Sequence, residues 1–184
     1  MTVLARWWPL PAAVAAALVV QQVAYTGRYD VGGHAAEHLS SGWFVFLATV
    51  VAGVLLWTTP SARRDAVVLI GLAGWLAAGM AILVGNVRVV DALVDAGQGR
   101  TPTDSLRAGP AVGAAHHLAD TAPLYAVIAA LVIVLGLYLR RAISRRLGIV
   151  AAVLNVLFPP WIVPGLGVVV VAAARCVARE RADR

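Results

Sequence analysis

"GWFVFLATVVAGVLLWTT", residues 42–59, runs for eighteen residues without a charge or a histidine. As a helix it would rise about 27 Å, close to the roughly 30 Å of a bilayer's hydrocarbon core. A surface helix of a soluble protein needs a polar face, and this stretch has none. It is therefore read as a membrane span, and that reading sets the fold class of the whole chain.

Working outward, the same pattern recurs. Residues 9–25, 66–87 and 121–139 are also apolar and free of ionisable groups. With 42–59 they make four expected spans in an all-α integral membrane bundle. The composition agrees: 61% of the 184 residues are hydrophobic and 13% are charged, against about 25% charged in soluble domains. Mean hydropathy is +0.84. The chain is expected to form a single membrane domain, 1–184, whose first partner is the lipid bilayer. A further membrane protein or a second copy of the chain is the expected protein partner.

A fifth apolar stretch, 147–174, is too long for one upright span and is broken by "FPPWIVPG", residues 158–165. Pro159, Pro160 and Pro164 remove backbone donors from any helix through them. The element is either one kinked span or a hairpin of two short arms. Arginine placement favours the hairpin. With a cytoplasmic N-terminus, a hairpin puts eleven of the fifteen arginines inside and four outside. A full fifth span would put seven inside and eight outside. Basic residues favour the cytoplasmic side. Residues 175–184 are then a basic cytoplasmic tail.

All fifteen basic residues are Arg, in an Ala- and Val-rich chain. That bias points to a GC-rich bacterial genome, hence a bacterial plasma membrane. The net charge of +6 sits beside the spans and reads as a topology and headgroup signal, so nucleic acid is excluded as a partner. A single cysteine, Cys176, excludes an intramolecular disulfide and a cysteine-cluster metal site.

The chemistry gathers just before two spans. His34, Glu37 and His38 precede 42–59; His116, His117 and Asp120 precede 121–139. Ser41 and Asp120 are expected as helix N-caps, with Pro123 in the first helical turn. In this topology both clusters lie outside the cell. His34 and His38 are spaced i,i+4, as are His116 and Asp120. On helices, each pair shares a face, and two such pairs suit one divalent metal such as zinc. The candidate metal ligands are thus His34, His38, His116, His117 and Asp120.

Two sharper readings compete. His34-Ala35-Ala36-Glu37-His38 spells H-x-x-E-H, the string in which one class of zinc hydrolases uses two His as ligands and the Glu as general base. That would make Glu37 catalytic. Only five residues carry the likeness, and the chain has no room for the soluble α/β fold of those enzymes. The second reading starts from a possible tandem repeat of helix pairs: Ala35-Ala36-x-His38-Leu39 aligns with Ala114-Ala115-x-His117-Leu118. It pairs His38 with His117, a candidate axial pair for haem. No C-x-x-C-H attachment motif accompanies it.

The function expected is a non-catalytic accessory, assembly or ligand-handling subunit of the membrane, whose His/acid cluster either binds a divalent metal or serves only as an interfacial rim that hydrogen-bonds water, headgroups and its own members. The enzyme readings are the first alternative, and a small transporter or channel is the second. Transport coupled to ions or protons usually leaves an ionisable group inside a span. None stands in the four continuous ones.

Overall fold

A computed structural model describes residues 31–58, 65–97, 109–158 and 163–182, together with the isolated positions Pro9, Ala13 and Ala16. The expected first span, 9–25, lies outside the described residues apart from those three positions. The described residues form helices and the turns between them: α1 (Val31–Trp57), α2 (Ala66–Gly97), α3 (Gly109–Leu139), α4 (Arg145–Leu157) and α5 (Leu166–Ala182).

Three segments are long and apolar enough to cross a membrane: His38–Trp57 in α1, Ala66–Asp91 in α2 and His116–Leu139 in α3. Their outward faces are as oily as their cores. Ile70, Tyr125, Ile128 and Leu139 are exposed, while Leu56, Val68, Trp75, Ile133 and Leu137 are fully buried. Water would not tolerate so continuous an apolar surface on a lone chain. These helices belong in a membrane.

The spans start earlier than expected. α1 begins at Val31 and α3 at Gly109, so Ser41 and Asp120 lie inside helices and cap neither. Pro123 likewise sits within α3 rather than in its first turn. The reason is local: Ala35 and Ala36 precede one of these spans and Ala111, Ala114, Ala115 and Ala119 the other, Ala being the best helix former, and the only proline in either stretch, Pro110, falls in the first turn of α3, where it is tolerated. A helix of 27 or 31 residues is about 40–46 Å long, well beyond the hydrocarbon thickness. The surplus turns carry the histidines.

α2 and α3 pack closely along most of their length. A Cβ on Gly71 would lie 2.8 Å from the Ile133 side chain, and one on Gly136 would lie 2.7 Å from that of Val68. Each helix thus gives up a side chain where the other offers a β-branched one, as small residues allow in membrane bundles. On the other side of α2, Gly79 meets Thr49 of α1 in the same way.

The two ends of the bundle differ. At one, Asp65 caps α2: its Oδ1 accepts from the Val67 amide at 2.8 Å and from the Val68 amide at 3.2 Å. Arg140, just past α3, donates to the other carboxylate oxygen. α3 ends there in a tight reversal, with Arg141 at φ 54° and the Ala142 amide bonded to the Leu137 carbonyl. This is the arginine end. His38 and His116 occupy the opposite, histidine end.

α4 and α5 form a hairpin. Ser144 caps α4 through the Leu147 amide. At the far end of α4, Asn155 Oδ1 accepts from the Gly167 amide of α5 at 2.7 Å. At the near end, Arg175 of α5 donates to the Ala142 carbonyl. The two arms are therefore antiparallel, and both return to the arginine end. Gly165, at φ 77°, adopts a left-handed conformation suited to glycine as the chain enters α5. The helix does not end before the expected tail: α5 continues through Arg179 and Arg181 to Ala182.

Candidate functional site

Three helices meet at the histidine end, and two glycines allow it. A Cβ on Gly42 of α1 would lie 2.9 Å from Asn86 Cβ. A Cβ on Gly85 of α2 would lie 2.8 Å from the Ala119 amide of α3. These close approaches fix the spacing of the turns that carry His38, Asn86 and His116.

The imidazoles of His38 and His116 are in contact. Their ring centroids are 5.1 Å apart and their planes cross at 78°. Both rings are partly buried. The separation falls within the range of an edge-to-face pair. It is also about the 5 Å at which one tetrahedral zinc ion holds two imidazoles, given Zn–N bonds near 2.0–2.1 Å.

Asn86 orients the pair. Its Nδ2 donates to the Ile82 carbonyl one turn back, at 2.8 Å. That bond turns its Oδ1 toward His38, which it meets at 2.6 Å from Nδ1. An amide oxygen only accepts, so the proton of this bond sits on His38 Nδ1, and Nε2 is the nitrogen of that ring with the chemistry of a metal ligand. A polar partner on one ring nitrogen, fixing the tautomer and directing the other, is the usual support of a metal-binding histidine. Asn86 is 7% exposed, so this bond is made in a sheltered place.

The other expected residues divide as follows. His117 is exposed and lies about 100° round α3 from His116; its carbonyl accepts from Thr121 Oγ1 at 2.6 Å. Of the haem pair His38 and His117, it is therefore the neighbour His116 that touches His38. Asp120 is exposed one turn beyond His116. His34 sits one turn before His38 on α1, with Glu37 between them in sequence; their side chains lie outside the described residues. Among the described side chains, no three of His, Cys, Asp and Glu gather closely enough to hold a metal ion.

Sequence reasoning passed over Asn86. Its signal was its isolation, as the one side-chain amide in the apolar stretch 66–87. No protein-family model matches this chain, and neither a curated protein nor a solved structure matches it.

Proposed function

We propose that this chain is a multi-spanning protein of a bacterial plasma membrane, acting as a non-catalytic, ligand-handling subunit that holds one divalent transition metal at its histidine end. The observation that carries the reading is the contact between His38 and His116, from two different helices, with Asn86 directing one of them. Imidazole nitrogens favour zinc, copper, nickel or iron over magnesium or calcium. By helical register, His34 stands one turn from His38 on α1 and Asp120 one turn from His116 on α3.

The charge distribution supports an orientation. Arg140, Arg141, Arg145 and Arg146 lie at the arginine end, which also takes the basic end of α5. The positive-inside rule makes that end cytoplasmic and the histidine end extracytoplasmic. Four spans, with 9–25 as the first, and a tandem relation between helix pairs belong to the same reading.

Elemental analysis and an absorption spectrum of the purified, detergent-solubilised protein test it. About one divalent transition metal per chain, with no haem band, is the expected result. His38→Ala and His116→Ala should each release the ion, while Glu37→Ala retains it. A metal-free protein that also fails to take up zinc or cobalt would refute the reading. A hydrolytic activity that Glu37→Ala abolishes while the metal stays bound would move the protein to the enzyme class.

A further inference from the structure

The reversal between α3 and α4 places arginines where helix ends favour other residues. α3 closes with the paired bonds of a Schellman turn: the Ala142 amide donates to the Leu137 carbonyl and the Arg141 amide to the Tyr138 carbonyl, both at 2.8 Å. The left-handed position of that turn, at φ 54°, is held by Arg141. Glycine is the usual occupant, because a Cβ there crowds the following carbonyl. A residue with a side chain kept in such a conformation is a mark of functional sites. α4 repeats the conflict. Ser144 caps it, and its first turn carries Arg145 and Arg146 and no acidic residue. Those charges stand at the positive end of the helix dipole, which favours anions.

Carboxylates do not answer these charges. Asp65 pairs with Arg140, and among the described residues no ion pair joins Arg141, Arg145 or Arg146 to an acid. All three are exposed. Arg141 and Arg145 are four residues apart, so their Cα atoms are at most about 14 Å from each other. α5 adds Arg175, whose guanidinium donates to the Ala142 carbonyl of the same reversal.

Height and surroundings select the anion. Arg140 and Arg141 follow directly on the span His116–Leu139, so the reversal lies at the bilayer surface, level with the headgroups. Next to it the wall is apolar: Tyr138 and Leu139 of α3 and Ile149 and Val150 of α4 are all exposed. Ile149 and Val150 lie one turn along α4 from Arg145 and Arg146, on the same face. A Cβ on Gly148 would lie 3.6 Å from the Tyr138 ring, so the two helices adjoin here. A soluble phosphate would use the arginines alone, whereas a phospholipid uses the arginines and the wall. Guanidinium groups match phosphate oxygens in geometry, and basic pockets between spans are where anionic headgroups are held.

We propose that the α3–α4 reversal binds one anionic phospholipid, with its phosphate among Arg141, Arg145 and Arg146 and its acyl chains against Tyr138, Ile149 and Val150. This is a defined site, distinct from the diffuse attraction of basic residues to a membrane. It does not depend on metal at the histidine end or on which side of the membrane the reversal faces.

The test is native mass spectrometry of the full chain in detergent, titrated with dioleoyl phosphatidylglycerol and, separately, with dioleoyl phosphatidylcholine. One phosphatidylglycerol per chain should bind at least about tenfold more tightly than phosphatidylcholine. Arg141→Gly and Arg145→Gln should each lower that affinity about tenfold, since each deletes a hydrogen bond between charged groups. The double variant Arg179→Gln/Arg181→Gln removes more charge from the same end of the molecule, and should keep the affinity within about twofold. Arg141→Gly also separates binding from folding. Glycine suits the turn, so without lipid the unfolding temperature should hold or rise, while the increment that phosphatidylglycerol adds should be lost. Arg145→Gln remains decisive if Arg141→Gly does not fold. Equal affinity for the two lipids, unchanged phosphatidylglycerol affinity in either arginine variant, an equal loss in the α5 double variant, or glycerol phosphate binding as tightly as the lipid would overturn the proposal.

Discussion

Asp65 and Asn86 show how single polar side chains place an apolar bundle. Each closes a local bond to its own helix and a second bond to another helix. Arg140 above all, and then the amides of Val68 and Val67, hold the Asp65 carboxyl below its ordinary value. A depressed folded-state pKa stabilises the fold above the usual carboxylate range, and that contribution is lost as pH falls through the folded value. Acidification below about pH 4 should therefore destabilise the protein, and Asp65→Asn should flatten that fall while lowering stability at neutral pH. Thermal unfolding in detergent across this range checks it; identical pH profiles for both proteins would contradict it. At this scale the histidines were legible, since polar rings beside oily spans stand out. Which ring meets His38 was not. Whether His116 or His117 faces inward depends on the rotation of α3, and two adjacent histidines give no sequence signal for that rotation. Asn86 was hidden for a related reason: one amide near the end of a span looks like an ordinary interfacial residue until a second helix is laid against it.

Helices α1, α2 and α3 were legible because length and apolarity alone decide them, and their cores match the expected spans closely. Their beginnings were misplaced because Ser41 and Asp120 are strong capping types, yet capping competes with continued helix, and the alanines just before each of them favour continuation. The hairpin was legible from its prolines and from the arginine balance. Its packing was not, because that depends on glycines whose neighbours are remote in sequence. A Cβ on Gly167 would overlap the Ala151 carbonyl oxygen, so the arms close only with glycine there. Gly167→Ala should cost about 1–3 kcal/mol, the usual penalty for overpacking. At Gly113 an added Cβ would meet nothing within 4 Å, so Gly113→Ala should instead gain up to about 1 kcal/mol from helix propensity. Equal effects of the two substitutions on thermal stability would show that the arms do not meet as described.

The described residues have polarity: all of their arginines but Arg88, with the Asp65–Arg140 ion pair, at one end, paired histidines at the other, and a hairpin that enters from the arginine end and stops partway. The sequence carried this asymmetry in its charge order, while the meeting of His38 with His116 needed the packing of three helices. That meeting is the centre of the account, and a double-mutant cycle on zinc affinity tests it most directly. If both imidazoles bind one ion, His38→Ala and His116→Ala each weaken zinc binding at least about tenfold, and the double variant loses little more than either single one. Zinc affinity that is unchanged in either single variant, or losses that simply add in the double variant, would contradict a shared site.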